Sequence, residues 1–138
     1  FTTRDKLAKT FNFSYSGLKT AVINYVHKLK QKGTELPIND ICASFQVAAI
    51  DGLVEKAIKA AKKHKMNKIV LAGGVAANSY LRKVIDARCA EEGLTAYYPP
   101  RVMCTDNAAM IGSAGYYNLI KEEGVSDLSL TPSPSLPL

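Results

Sequence analysis

Residues 68–78 read KIVLAGGVAAN, and this stretch restricts the possible folds more than any other. Ile69–Ala72 is a short apolar run, β-branched at Ile69 and Val70; Gly73-Gly74 interrupts it, and a helical pattern begins within about three residues. A buried strand, a tight glycine turn and a helix N-terminus are predicted in that order. Glycines at such a turn let a ligand approach the backbone because no Cβ intervenes. A helix start adds unpaired N–H groups and partial positive charge, which suit a phosphate or other anion. Asn78, predicted in the first helical turn, can both donate to and accept from a ligand. The same Gly-Gly also serves as a plain β-to-α turn. It matches neither GxGxxG nor GxxxxGK[ST], so the two best-known nucleotide loops are absent.

The flanking segments make the turn part of an α/β domain. Leu18, Val22, Tyr25, Val26 and Leu29 recur at helical spacing up to Gly33. Pro37-Ile38-Asn39-Asp40 opens a second, long helix to about Lys65, with Asn39 or Asp40 as its cap. Its apolar residues, Ile41, Phe45, Ile50, Val54 and Ile58 among them, occupy so much of its girth that cover on more than one side is expected. Ala77, Leu81, Val84, Ile85 and Cys89 line a third helix ending at Gly93, with Cys89 as a small core residue. Thr95–Tyr98 is a short strand closed by Pro99-Pro100. A last helix, rich in small residues, runs from about Asn107 to Glu122; small residues at facing positions permit close approach to another backbone. At the other end, Phe11–Tyr15 alternates aromatic and polar residues as a half-buried strand does. Strands separated by helices imply a largely parallel sheet, and ligands in such domains sit at the C-terminal strand ends. The turns at Gly73-Gly74 and at Cys104–Asp106 both follow strands, so both should open on the same edge.

Bulk properties exclude several classes. The chain has 138 residues, 47% of them hydrophobic and 22% charged, as in ordinary globular proteins. That length makes one domain or part of one. No apolar run approaches the ~20 residues that span a bilayer, so no membrane partner is expected. Cys42, Cys89 and Cys104 are far apart and form no CxxC, which suggests neither a disulfide framework nor a zinc knuckle; a reducing cytoplasm is the simplest home. The net charge is +6, which permits contact with nucleic acid without requiring it. Lys56, Lys59, Lys62, Lys63 and Lys65 gather at the end of the second helix, where cations suit the helix dipole, and read either as a solvated face or as a polynucleotide-facing patch.

Asp106 is open to two readings. It stands at a helix start, where it can serve as an N-cap, or it can offer a hard oxygen to a divalent metal. The only histidines, His27 and His64, lie in predicted helices away from the strand ends and form no HxxxH or HExxH pair. Cys104, two residues before Asp106, is expected to be a partly buried structural thiol.

Four segments then occur in a telling order: FSYSGLKTAV (13–22), ASFQVAAIDGLVEKAIKAA (43–61), LAGGVAAN (71–78), and PP followed by CTDNAAMIG (99–112). Together they resemble the C-terminal part of the bacterial tRNA threonylcarbamoyladenosine synthase family, once described as an O-sialoglycoprotein endopeptidase. The resemblance implies an actin-like ATPase (ribonuclease H-like) lobe over residues 1–125; the Pro/Ser-rich stretch 126–138, with three prolines, reads from its composition as a tail or linker. It implies transfer of threonylcarbamoyl from threonylcarbamoyl-AMP to adenosine 37 of tRNAs reading codons that begin with A. Asn78 matches the family's substrate-binding asparagine, Gly73 and Gly74 the loop beside the adenylate, and Asp106 an aspartate that binds one iron or zinc ion. The family's two metal-binding histidines come from an HxxxH motif that this chain lacks, and the resemblance implies that Phe1 begins in mid-protein. The expectation is therefore a C-terminal fragment, inactive as a transferase alone. Partners implied by the resemblance are tRNA, an inactive paralogue and a small ATPase.

Two other classes share some of these features. Another enzyme of the actin-like superfamily, a carbamoyltransferase or small-molecule kinase, would share the Gly-Gly turn but need not carry CTDN. A non-catalytic partner-binding lobe would suit the small-residue helix and the Pro-rich tail. The old peptidase description finds no support, since neither HExxH nor GxSxG occurs.

Overall fold

The computed structural model describes residue 1 and residues 10–121, 127–133 and 135. The chain forms two compact units, Phe1–Cys104 and Thr105–Leu138. The expected boundary between residues 125 and 126 lies outside the described residues.

The first unit contains α1 (Ser16–Gln31), α2 (Ile38–Lys63), β1 (Lys68–Val70), α3 (Ser79–Glu91) and β2 (Thr95–Tyr97), with short 3₁₀ turns at Gly74–Ala77 and Arg101–Met103. β1 and β2 pair in parallel, with Lys68 opposite Thr95, Ile69 opposite Ala96 and Val70 opposite Tyr97. The Leu71 N–H extends the ladder by donating to the Tyr97 carbonyl at 2.8 Å. Parallel pairing puts the loops that follow both strands on one edge.

The core follows from helical spacing. Ile50, Val54 and Ile58 on α2 meet Leu81, Ile85 and Cys89 on α3, each run recurring every four residues and all 5% exposed or less. Ile69, Leu71, Ala96 and Tyr98 close the cluster from the sheet side. Cover of α2 on a second side comes from α1, whose Leu18 is buried and whose neighbour Tyr15 donates its hydroxyl to the Ala49 carbonyl. Beyond that stripe Ile38, Phe45 and Val47 are exposed. The strand expected to be buried is covered on one face only, and Val70 is 72% exposed.

All three helices of this unit end in the same way. The residue past the C-cap is left-handed, at Gly33 (φ 64), Lys65 (φ 56) and Gly93 (φ 67). The next N–H reaches back to the last turn in each case: Thr34 to Leu29, Met66 to Ala61 and Leu94 to Cys89. This is the Schellman arrangement, which satisfies carbonyls the helix leaves unpaired. The stops predicted at Gly33 and Gly93 are met; at Lys65 a side-chain-bearing residue occupies the glycine position.

Two local expectations are corrected. Phe11–Tyr15 is not a strand. Instead the segment interacts with α2 through side chains: Lys56 donates to the Asn12 carbonyl at 2.8 Å and lies over the Phe13 ring, and Lys63 lies over Phe11. Alternation marks a segment with two different faces, but a strand also needs a ladder partner. Second, Pro37 is the N-cap residue of α2, so Asn39 and Asp40 fall inside the first turn. Proline suits a helix start because the N–H it lacks would go unpaired there.

In the second unit, α4 (Ala108–Ile120) carries small and apolar residues, all exposed. A Cβ added at Gly112 or Gly115 would meet no atom within 4 Å, so the close backbone approach expected there is not seen among the described residues. Further on, the Asp127 carboxylate accepts from the Ser129 N–H at 2.8 Å and from its hydroxyl, and these bonds hold its pKa below the usual value. No helix among the described residues is long and apolar enough to cross a membrane.

Candidate functional site: the strand-end loops

The Gly-Gly turn follows directly on the β1 ladder. Gly73 has φ 80, a conformation costly for any residue with a Cβ. It redirects the chain into the 3₁₀ turn Gly74–Ala77, where the Ala76 N–H returns to the Gly73 carbonyl at 3.0 Å. Asn78 is extended and is the N-cap of α3 rather than a member of its first turn. Its Oδ1 accepts from the Leu81 N–H at 2.9 Å, and its Nδ2 donates to Gln46 Oε1 on α2 at 3.1 Å. A helix start bearing an anion seat was the expectation; the structure instead places one 3₁₀ turn after the glycines and a side chain over the start of α3. One N–H and one lone pair of the Asn78 amide remain for a ligand, and the two protein contacts fix the plane of the amide.

Arg82 completes the loop and was not singled out from sequence. Its Nε donates to the Ala76 carbonyl at 2.7 Å. Its Nη2 donates to the Pro99 carbonyl at 2.7 Å and lies 3.2 Å from Cys104 Sγ. The guanidinium also covers the Tyr98 ring at 4.4 Å, while the Tyr98 hydroxyl donates to Asp86 at 2.6 Å. That bond raises the Tyr98 pKa, with burial adding to the rise and Arg82 opposing it. Arg82 thus bridges the loop after β1 and the loop after β2, whose 3₁₀ turns also lie against each other. Cys104 is fully buried rather than partly so, at 3% exposure.

Asp106 belongs to the second unit. The cap of α4 is its neighbour Asn107, whose Oδ1 accepts from the Met110 N–H at 3.0 Å. The Asp106 carboxylate is exposed and has no hydrogen-bond or ion-pair partner among the described residues. The capping reading of Asp106 is therefore corrected. Among the described residues no three His, Cys, Asp or Glu side chains gather as a metal site would require. His27 and His64 are exposed on α1 and at the end of α2. Asp106 thus has no pair of co-ligands of these types beside it among the described residues.

Elsewhere in the first unit a groove of about 720 Å³ lies between α2 and α3, floored by Val54, Ile58 and Val84. Its polar rim is internally paired: Tyr80 donates to Asp51, and Lys62 pairs with Glu92. Burial and Asp51 push the Tyr80 pKa up; Lys62 holds Glu92 down. Lys59 pairs with Glu55. With Lys56 and Lys63 engaged by the segment at Phe11–Phe13, most of the lysine cluster has partners within the chain, which fits the solvated-face reading.

A family model described as tRNA N6-adenosine threonylcarbamoyltransferase matches residues 2–113. The chain belongs to this family. Among the threonylcarbamoyltransferases, a relative from Clostridium botulinum (strain 657 / Type Ba4) is 47% identical over 129 residues, 94% of this chain. One from Moorella thermoacetica is 48% identical over 129 residues, 94% of this chain and 37% of the relative. One from Caldicellulosiruptor saccharolyticus is 52% identical over 111 residues, 80% of this chain and 33% of the relative. The chain thus spans 38% of the Clostridium relative's length. The family match covers the Gly73–Asn78 loop, Arg82 and Asp106. The α/β lobe expected from the family's actin-like ATPase fold is met in the parallel β1–α3–β2 unit.

Proposed function

We propose that this chain supplies one wall of the substrate site of a tRNA N6-adenosine threonylcarbamoyltransferase, acting in the cytoplasm with tRNA as acceptor. In this reading the enzyme transfers threonylcarbamoyl from threonylcarbamoyl-AMP to the N6 amine of adenosine 37, in tRNAs that read codons beginning with A. Gly73 and Gly74 let the adenylate lie close to the backbone, and the Asn78 amide uses its remaining N–H and lone pair on the ligand. Asp106 is the chain's single contribution to an iron or zinc ion, the histidine ligands coming from outside this chain. An inactive paralogue and a small ATPase complete the partner set.

The observation that carries this reading is the Gly73–Asn78 loop at the C-terminal end of a parallel strand, where α/β proteins bind ligands. Its asparagine is held from two sides yet keeps hydrogen-bonding capacity. The test is a calorimetric titration of the chain with a non-hydrolysable ATP analogue and Mg²⁺, beside Asn78→Ser. Serine keeps the cap acceptor and removes the amide donor. Binding by the parent that is lost in Asn78→Ser supports the assignment; equal binding by both refutes the role of Asn78.

A further inference from the structure

Arg82 sits in the first turn of α3, where a cation opposes the helix dipole and an acidic residue would be favoured. Its donors go to groups that secondary structure leaves over: the Ala76 carbonyl in the 3₁₀ turn, the Pro99 carbonyl and the Cys104 sulfur. Pro99 and Pro100 supply no N–H, so the loop after β2 cannot brace itself through a ladder. The Cys104 thiol faces the Pro99 and Pro100 carbonyls from the inside, at 3.9 and 3.6 Å. The guanidinium fork, stacked on Tyr98, is the common contact of both loops.

We propose that Arg82 is a positioning residue that couples the two strand-end loops, so that a displacement of the Gly73–Asn78 loop is transmitted to Cys104. Its functional meaning rests on the reading of that loop as the substrate loop. A ligand seated on the glycines would then stiffen the Pro99–Cys104 loop. A planar fork with several fixed donors performs this role; a lysine, with one donor centre, reaches only part of the set.

The three cysteines provide the assay, because Cys42 is exposed, Cys89 is buried in the α2/α3 core and Cys104 is buried at the clamp. Iodoacetamide labelling of the folded chain, resolved by peptide mass spectrometry, reports each site in one experiment. Arg82→Lys is expected to speed Cys104 labelling by about tenfold or more, since loss of a single charge-assisted hydrogen bond is worth that factor, while Cys89 stays unchanged. Arg82→Met, which also removes the charge, should raise it further. A residue that only stabilised the fold would raise Cys89 and Cys104 together, and that result would overturn the proposal, as would an unchanged Cys104. Gly73→Ala, which strains the φ 80 turn, should speed Cys104 labelling in the parent and add little in the Arg82→Lys background. Independent, multiplicative effects of the two changes would also overturn it. None of these measurements uses a ligand, so failure of the calorimetric test and failure of the coupling are read separately.

Discussion

Asn78 is proposed to contact substrate, yet both of its polar ends also hold the fold, and the two roles can be separated by stability. Asn78→Ala removes the acceptor for the Leu81 N–H and the donor to Gln46. Loss of an N-cap costs about 1 kcal/mol, and loss of a neutral, part-buried side-chain hydrogen bond adds about 0.5 kcal/mol. The total of roughly 1.5 kcal/mol corresponds to a fall in Tm on the order of 6–12 °C for a domain of this size. Asn78→Ser keeps the cap and should lose only about 0.5 kcal/mol. Asn78→Asp keeps the cap and adds a carboxylate at the α3 N-terminus, which returns about 0.3–1 kcal/mol, so it should lie close to the parent. Urea denaturation followed by circular dichroism gives these differences as midpoint shifts at constant slope. The expected order of stability is Asn close to Asp, then Ser, then Ala. If Ala and Ser are equally destabilised, the side chain is not acting as a cap and the reasoning fails. If Ala equals the parent, neither contact contributes.

Ile85 is 0% exposed at the centre of the core, so Ile85→Ala should lower stability by about 3–4 kcal/mol in the same denaturation experiment. Lys65→Gly relieves a left-handed φ of 56 at the end of α2 and should raise stability by about 0.5–1 kcal/mol; a loss would mean that the lysine side chain makes a compensating contact. Glu92 has its pKa lowered from the ordinary 4.5 by the hydrogen bond and charge of Lys62. Because the folded value is the lower one, the stabilisation is present above pH 4.5 and fades as pH falls through the depressed value. Lys62→Met should therefore be the less stable protein at neutral pH, with the difference closing in acid; a constant difference across that range would refute the pairing.

The βαβ unit was legible because its signals are local. Leu81, Ile85 and Cys89 repeat every four residues, Gly33 and Gly93 mark the helix ends, and Ile69–Val70 is β-branched. The misreadings arose where a residue's role depends on something distant or on a competing neighbour. The alternation at Phe11–Tyr15 shows two faces but cannot show whether a partner strand exists. At the starts of α2 and α4, several adjacent residues could cap; backbone angles chose Pro37 over Asn39 or Asp40, and Asn107 over Asp106. Asn78 was legible as a polar residue at a helix start, but its contact with Gln46 spans two elements. Arg82 touches carbonyls of Ala76 and Pro99 and the sulfur of Cys104, a set with no periodicity. Its one sequence signal is a positive charge in the first turn of a helix, where the dipole disfavours it.

The elements of the α2/α3 core follow one another along the chain without interruption, from Ile50 on α2 through β1 and α3 to Tyr98 beyond β2. Contacts between successive elements close short loops, which costs little chain entropy and favours rapid folding. A ribosome that has made and released Tyr98 has already released every side chain of this core, while the clamp of Arg82 on Pro99 and Cys104 must wait a few residues more. Folding should therefore begin in the core and fasten the strand-end loops last. Ile85→Ala is then expected to slow refolding, whereas Arg82→Lys should leave that rate unchanged; stopped-flow kinetics would distinguish this order from its reverse.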